Sequence, residues 1–200
     1  MKEDKTRQRR LIFPGLAVIS GALLILAIAI PDISSAQETA APEKMVFQAR
    51  LMPKAGEQPA MVQVEVNGTT TPDEAGHLRE TLAMNGDTGF LTEFRKMPKG
   101  FMKFYAGGQP AIRFNAAYVT PTDKGTRITL FAEDTTLGFV SNDAPVGLFF
   151  MVVVLDVNEK GRGDGRLYQG ASIKFTDDNR IELDTYRRSP MIIIQVRKSK

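Results

Sequence analysis

The chain has no cysteine. That absence removes thiolate catalysis, disulfide frameworks, Cys-ligated zinc and iron–sulfur clusters. Histidine is nearly as scarce: His77 is the only one, so a two-histidine metal site cannot be built within one chain. A Ser-His-Asp triad would have that single residue as its base. Only four serines follow residue 36 (Ser141, Ser172, Ser189 and Ser199), and none stands in a Gly-x-Ser-x-Gly elbow. Charge of one sign is missing as well. The net charge of +3 owes much to the first 36 residues, which hold five Lys/Arg against three Asp/Glu, so residues 37–200 keep 21 basic and 20 acidic groups. No basic stripe interleaved with aromatics stands out, and a nucleic-acid partner is not expected.

What is present begins with a leader. Lys2, Lys5, Arg7, Arg9 and Arg10 precede an uncharged run from Leu11 to Ile30, which Pro31 and Asp32 end. Ser34-Ser35-Ala36 then supplies small residues for processing, so residues 1–36 read as a signal peptide cleaved near Ala36. Left uncleaved, the twenty-residue run would be an N-terminal membrane anchor, the only membrane contact expected. Arg9-Arg10 hints at twin-arginine export. A lipoprotein anchor would need a cysteine. The expected location is therefore periplasmic or extracellular.

Residues 37–44 form a polar Ala/Glu/Thr/Pro linker, and residues 45–200 read as one β-rich domain. With 42% hydrophobic and 24% charged residues the chain is globular in composition. Period-two alternation marks strands over 45–52, 61–66, 112–118 and 127–132. In the third of these Ile112, Phe114, Ala116 and Tyr118 share a face; in the fourth Ile128, Leu130 and Ala132 do. A three-residue loop, Asp123-Lys124-Gly125, would join them. The apolar run 146–155 suits a strand covered on both faces. One helical region interrupts the pattern. Thr71-Pro72-Asp73-Glu74 is a capping box, Ala75, Leu78 and Leu82 fall on one face, and Asn85-Gly86 is a stop signal before a second short helix. Near the C-terminus, Leu167, Gln169, Ala171, Ile173 and Phe175 form one face and Ile181, Leu183 and Thr185 another. The loop Asp177-Asp178-Asn179, with Asn179 left-handed, would place Phe175 opposite Ile181, Ile173 opposite Leu183, Lys174 opposite Glu182 and Ser172 opposite Asp184. The expected fold is mainly β (α+β): an antiparallel β-sandwich or open barrel of about nine strands, with one helical segment inserted after the second strand.

Few residues carry chemistry. His77 lies beside Arg79 and Glu80 and reads as a surface helix residue. The stretch from Asp156 to Gly165 opens like a calcium loop, with Asp156, Asn158 and Asp164 as oxygen donors, but Lys160 and Leu167 stand where two ligands belong. It reads more simply as a glycine-rich hairpin loop. Glu182 and Asp184 are neighbouring carboxylates on one strand face and could serve acid–base hydrolysis. Tyr105, Tyr118, Tyr168 and Tyr186 could line a site for an apolar or sugar-like ligand. Asn67-Gly68-Thr69 fits a glycosylation sequon, and Arg162-Gly163-Asp164 is too short a motif to weigh.

The leader, the helix beginning at Pro72, the segment Thr136-Leu137-Gly138-Phe139 and the run Ile181-Glu182-Leu183-Asp184-Thr185-Tyr186 before Pro190 together resemble a family of small exported bacterial β-rich proteins with no assigned function. The resemblance implies export and one β-rich domain, and brings no catalytic residue, cofactor or partner. On these grounds the chain is expected to be a non-enzymatic binding or envelope-associated protein of unknown ligand, without a cofactor. The alternative is a carboxylate-dependent envelope hydrolase using Glu182 and Asp184.

Overall fold

The computed structural model describes residues 44–52, 58–105, 110–135 and 148–199. The expected leader, nearly all of the linker, Gly107-Gly108 and the segment 136–139 lie outside them. Among the described residues the fold is mainly β, with ten strands and one helix. The strands are β1 (Met45–Met52), β2 (Ala60–Val66), β3 (Gly100–Phe104), β4 (Ile112–Phe114), β5 (Ala116–Thr122), β6 (Gly125–Glu133), β7 (Phe150–Val157), β8 (Arg162–Phe175), β9 (Ile181–Tyr186) and β10 (Met191–Lys198). The helix α1 (Pro72–Phe94) follows β2. No helix of the described residues is long and apolar enough to cross a membrane.

All pairings are antiparallel, and the strand order is β4-β3-β2-β1-β10-β8-β7-β6-β5, with β9 on β8 outside that path. The two ends of this order, β4 and β5, are neighbours in the chain, separated by Asn115 alone. The Asn115 N–H donates to the Phe131 carbonyl (2.8 Å) and its side-chain amide to the Arg95 carbonyl (3.3 Å). The sheet therefore closes on itself at a buried corner. Counting β4 and β5 as one stave and leaving β9 aside, the described strands form an eight-stave up-and-down barrel.

Eight staves leave an interior that side chains can fill or that can hold one small ligand. Here it is filled. Phe47, Met102 and Phe114 pack with Val62, Val64, Ile128, Leu130, Val153, Leu155, Leu167 and Ile193 in one apolar cluster drawn from every stave. The second apolar layer lies outside the barrel. Leu78, Phe90 and Phe94 of α1 cover Phe131, Phe150 and Val152 on the outward face, joined by Ala171, Ile173, Phe175 and Ile181 of the β8–β9 hairpin. The apolar run expected to be covered on both faces is β7, with Met151, Val153 and Leu155 turned inward and Phe150 and Val152 beneath the second layer.

The helix is built as its sequence suggests. Glu74 N–H donates to Thr71 Oγ1 (3.2 Å), and the Thr71 N–H donates back to the Glu74 carboxylate (2.9 Å), so two otherwise orphaned amides are satisfied. Lys99 reaches the same carboxylate at 2.7 Å. As expected, the helical conformation breaks at Asn85-Gly86, where Gly86 is non-helical (φ 63°, ψ −163°), and a second helical stretch carrying Phe90 and Phe94 follows across the kink.

Two expectations of face are corrected, and one cause explains a third error. Ile112, Phe114, Ala116 and Tyr118 do not share a face: Phe114 is inside, Ala116 and Tyr118 are outside, and Ala117 is inside. The corner at Asn115 flips the alternation. With the inward residues of β5 now odd-numbered and those of β6 even-numbered, the loop must hold an even number of residues. It is accordingly the two-residue turn Asp123-Lys124, with Thr122 opposite Gly125, and not the three-residue loop expected. Likewise Leu167 is inside while Ala171, Ile173 and Phe175 are outside, because Gly170 (φ 62°) interrupts β8. The hairpin register is as expected for Phe175–Ile181, Lys174–Glu182 and Ile173–Leu183, and Asn179 is left-handed (φ 54°). A bulge then moves Ala171 opposite Tyr186, so Ser172 meets Thr185 (Oγ–Oγ1 2.6 Å) where Asp184 was expected.

Candidate functional site

A groove of about 740 Å³ opens where the second layer stops. Its floor is the outward face of β5, β6, β7, β8 and β10, and one wall is the start of β9. Strand pairing arranges the floor in rows. Arg127, Asp156 and Asp164 stand side by side across β6, β7 and β8, and the next row holds Thr129, Val154, Arg166 and Ile192. A third row brings Phe131, Val152 and Tyr168 together, of which Phe131 and Tyr168 line the groove. Arg180, Ile181, Glu182 and Leu183 come from the hairpin wall.

The charges in this groove are not all spent on each other. Arg127 grips Asp156 with two nitrogens, at 2.7 and 3.2 Å, and that carboxylate raises the guanidinium pKa further. Asp164 accepts the Gln195 N–H at 3.3 Å. Glu182 lies 4.0 Å from Lys174, with both side chains about half exposed. Arg180 donates to Thr120 Oγ1 (3.0 Å) and lies over the Tyr118 ring, 5.2 Å from its centroid, without a carboxylate partner. Arg166 is exposed and has no hydrogen-bond or ion-pair partner among the described residues. Half-exposed Ile192 stands beside it.

Of the four tyrosines, Tyr118 and Tyr168 line the groove and Tyr186 packs on Tyr168, while Tyr105 lies apart. Tyr118 is buried, and its hydroxyl accepts the Ile181 N–H at 2.9 Å, which pins the hairpin to the barrel wall. Burial pushes its pKa up, against the opposing pull of that N–H and of Arg180. Tyr168 lines the groove and packs on Tyr186, with ring centroids 4.9 Å apart. Tyr105 is elsewhere, at the end of β3, donating to Gln63 Oε1.

Of the three expected calcium-loop donors, Asp156 and Asp164 are cross-strand neighbours on β7 and β8, and Asn158 lies apart in the turn between them. Asp156 is held by Arg127, and Asn158 Oδ1 accepts the N–H groups of Lys160 (3.0 Å) and Arg162 (3.1 Å), closing its own turn. Among the described residues no group of three or more His, Asp or Glu is placed to hold a metal. Glu182 and Asp184 are both exposed on β9. His77 is a surface residue 3.8 Å from Glu93. Asn67 is exposed.

Sequence reading missed Arg166, Arg180 and Ile192. No motif contains them; the pairing of β8 with β10 makes Arg166 and Ile192 neighbours, and Arg180 is brought to the groove by the β8–β9 hairpin, where it reaches Thr120 of β5. Their one signal in the sequence is alternation, which places Arg166 on the face opposite the inward Leu167. No family model, curated relative or solved structure matches the chain.

Proposed function

We propose that this protein is a non-enzymatic binding module, exported through the leader at residues 1–36 and acting in the periplasm or outside the cell. Its ligand site is the outer groove. The observation that carries this reading is the groove's composition: a 740 Å³ concavity lined by Tyr168, which packs on Tyr186, by the exposed Ile192, and by Arg166, a guanidinium without a partner among the described residues. Pockets of this size, apolar in part and with a few polar groups, are the usual form of a ligand site. Among the described residues the barrel interior is packed with apolar side chains. Export rests on the order of charged, apolar and small residues in the leader.

The hydrolase reading draws less support. A catalytic acid needs a carboxyl whose environment moves its pKa toward the working pH. Glu182 and Asp184 stand in solvent on a hairpin, with Lys174 near the first.

The test is a thermal-shift screen of the purified protein against oligosaccharides, fatty acids, peptides and calcium, with a chelator control and a Tyr168→Ala variant. A ligand that binds the folded state raises the melting temperature by mass action. A shift lost in the variant supports the groove. A ligand that shifts both proteins equally, or a folded protein that shifts with nothing, overturns it.

A further inference from the structure

The barrel closes its edges, and β9 is the exception. Among the described residues it pairs with β8 alone, and its other side borders the groove. Alternation shows which of its backbone groups face that side. Thr176 N–H donates to the Arg180 carbonyl (2.9 Å) and Arg187 N–H to the Gly170 carbonyl (3.3 Å), so these are the hydrogen-bonded positions at the two ends of the hairpin. Lys174–Glu182 falls in the same phase. Phe175–Ile181, Ile173–Leu183 and, past the bulge, Ala171–Tyr186 fall between them. In an antiparallel pair such intervening residues turn their N–H and C=O away from the partner strand. Ile181 shows it directly, since its N–H reaches Tyr118 Oη and not β8. Leu183 and Tyr186 present theirs in the same direction, with no strand opposite.

We propose that this edge takes up an extended acidic peptide, which adds a strand to β9 and lies in the groove. The proposal rests on the groove reading and names its ligand class. Main-chain hydrogen bonds to a free edge provide affinity, while pockets for alternate side chains provide selectivity. With the Ile181 N–H already engaged by Tyr118, the span from Glu182 to Tyr186 suits a partner of about five residues at roughly 3.3 Å each. Selectivity for acid follows from the charge balance. Arg127 is neutralised by Asp156, whereas Arg166 and Arg180 have no carboxylate partner. Glu182 is paired with Lys174 on its own hairpin, while Asp164 keeps its charge although it accepts the Gln195 amide, so two arginines stand against one carboxylate and the groove is left with a small excess of positive charge for a ligand. Ile192 and Val154 flank Arg166 and give the intervening apolar side chains a floor.

The probe is an end-blocked, fluorescein-labelled octapeptide alternating valine and glutamate, titrated by anisotropy against the protein. Three controls go with it: the same peptide with lysine for glutamate, and two versions N-methylated at alternate residues in opposite phases. Saturable binding is expected for the glutamate peptide and at least tenfold weaker binding for the lysine peptide. One N-methyl phase should abolish binding and the other retain it, because only one phase faces β9. Arg166→Glu, at an exposed position, should reverse the charge preference while circular dichroism stays unchanged. On binding, the Leu183 amide should gain protection from hydrogen exchange, and the Glu182 amide, already paired, should not. No binding, binding indifferent to charge, or equal loss in both N-methyl phases overturns the proposal. If the peptides fail but a sugar or fatty acid gives a Tyr168-dependent thermal shift, the peptide proposal falls and the groove reading stands. If no ligand engages the groove, both fall.

Discussion

The inside of the barrel and the layer on its outer wall are both apolar, yet they are built by different means. The interior is mostly aliphatic, drawn one to four residues at a time from every stave. The outer layer is aromatic, with Phe90, Phe94, Phe150 and Phe175 linked by edge or stacked contacts and Phe131 edge-on to Tyr118. It is assembled from three parts distant in sequence: a kinked helix, a hairpin and the barrel wall. It is also fastened by polar contacts, among them Tyr118 Oη to Ile181 N–H and Asp134 Oδ2 accepting the Gly170 N–H at 2.9 Å. Among the described residues the interior is occupied by packed apolar side chains. The outer layer covers part of the wall, and the groove is the part it leaves bare. On the proposed reading, the ligand site belongs to the outside.

The largest test of this contrast is Phe150→Ala. The side chain is fully buried beneath α1, edge-on to Phe90 and Phe94. Losing a buried phenylalanine costs about 3–5 kcal/mol, and Phe114→Ala inside the barrel should cost the same. Urea unfolding monitored by circular dichroism and fluorescence should show one transition in each variant. A loss under about 1 kcal/mol for Phe150→Ala, small for a buried residue, would mean that the outer layer is an addition and not a second core. A helix melting before the sheet would mean the same.

The interior was the more legible of the two regions. Val62, Val64 and Val66, and Ile128, Leu130 and Ala132, announce themselves by alternation, and they are inside. The capping box at Thr71 and the left-handed Asn179 were equally plain, because both are local devices. Alternation fails where one residue resets the phase. Asn115 and Gly170 each do so, and Asn115 alone misplaces Ala116, Tyr118 and the loop after β5. Of the candidate site, Tyr118, Tyr168, Glu182, Asp156 and Asp164 were named from sequence, yet what joins the groove residues is strand order, which pairs β8 with β10 across the intervening hairpin. No spacing rule carries that information, and so Arg166 and Ile192 stayed hidden.

Tyr118→Phe comes next in size. It removes the acceptor of the buried Ile181 N–H and should cost about 1–3 kcal/mol, the usual result of stranding a buried donor. Its pH dependence gives a second readout. Burial raises the Tyr118 pKa above its ordinary 10.0, so the fold favours the neutral phenol. That contribution is intact below the ordinary value and is lost as pH rises through the higher folded one. The parent protein should lose stability on this alkaline limb, and the phenylalanine variant should lose less. Parallel limbs would mean that the hydroxyl does not hold the hairpin to the wall.

Thr71→Ala tests the helix that roofs the outer layer and should cost about 0.5–2 kcal/mol by chemical denaturation. Its partner Glu74 is opposed by partial burial, but the hydrogen bond from Lys99, with those of Thr71, holds its pKa below the ordinary 4.5. A depressed carboxylate stabilises the fold above its ordinary pKa, and the stability is lost as pH falls through the lower folded value. Lys99→Met should therefore flatten the acid limb. An unchanged limb would place the acid sensitivity of the fold elsewhere.

The smallest expected effect bears most directly on the groove. Lys174 and Glu182 face each other across the hairpin at 4.0 Å, both about half exposed. Exposed pairs of this kind contribute about 0–1 kcal/mol and are screened by salt, so a double-mutant cycle with Lys174→Ala and Glu182→Ala should give a coupling near the bottom of that range. A weak coupling leaves the hairpin's solvent face electrostatically loose, able to adjust when a strand adds beside it. A coupling well above about 1 kcal/mol, beyond the usual range for such a pair, would make that face part of what stabilises the fold. The distinction between a structural layer and a bare binding wall would then have to be drawn on the far side of β9.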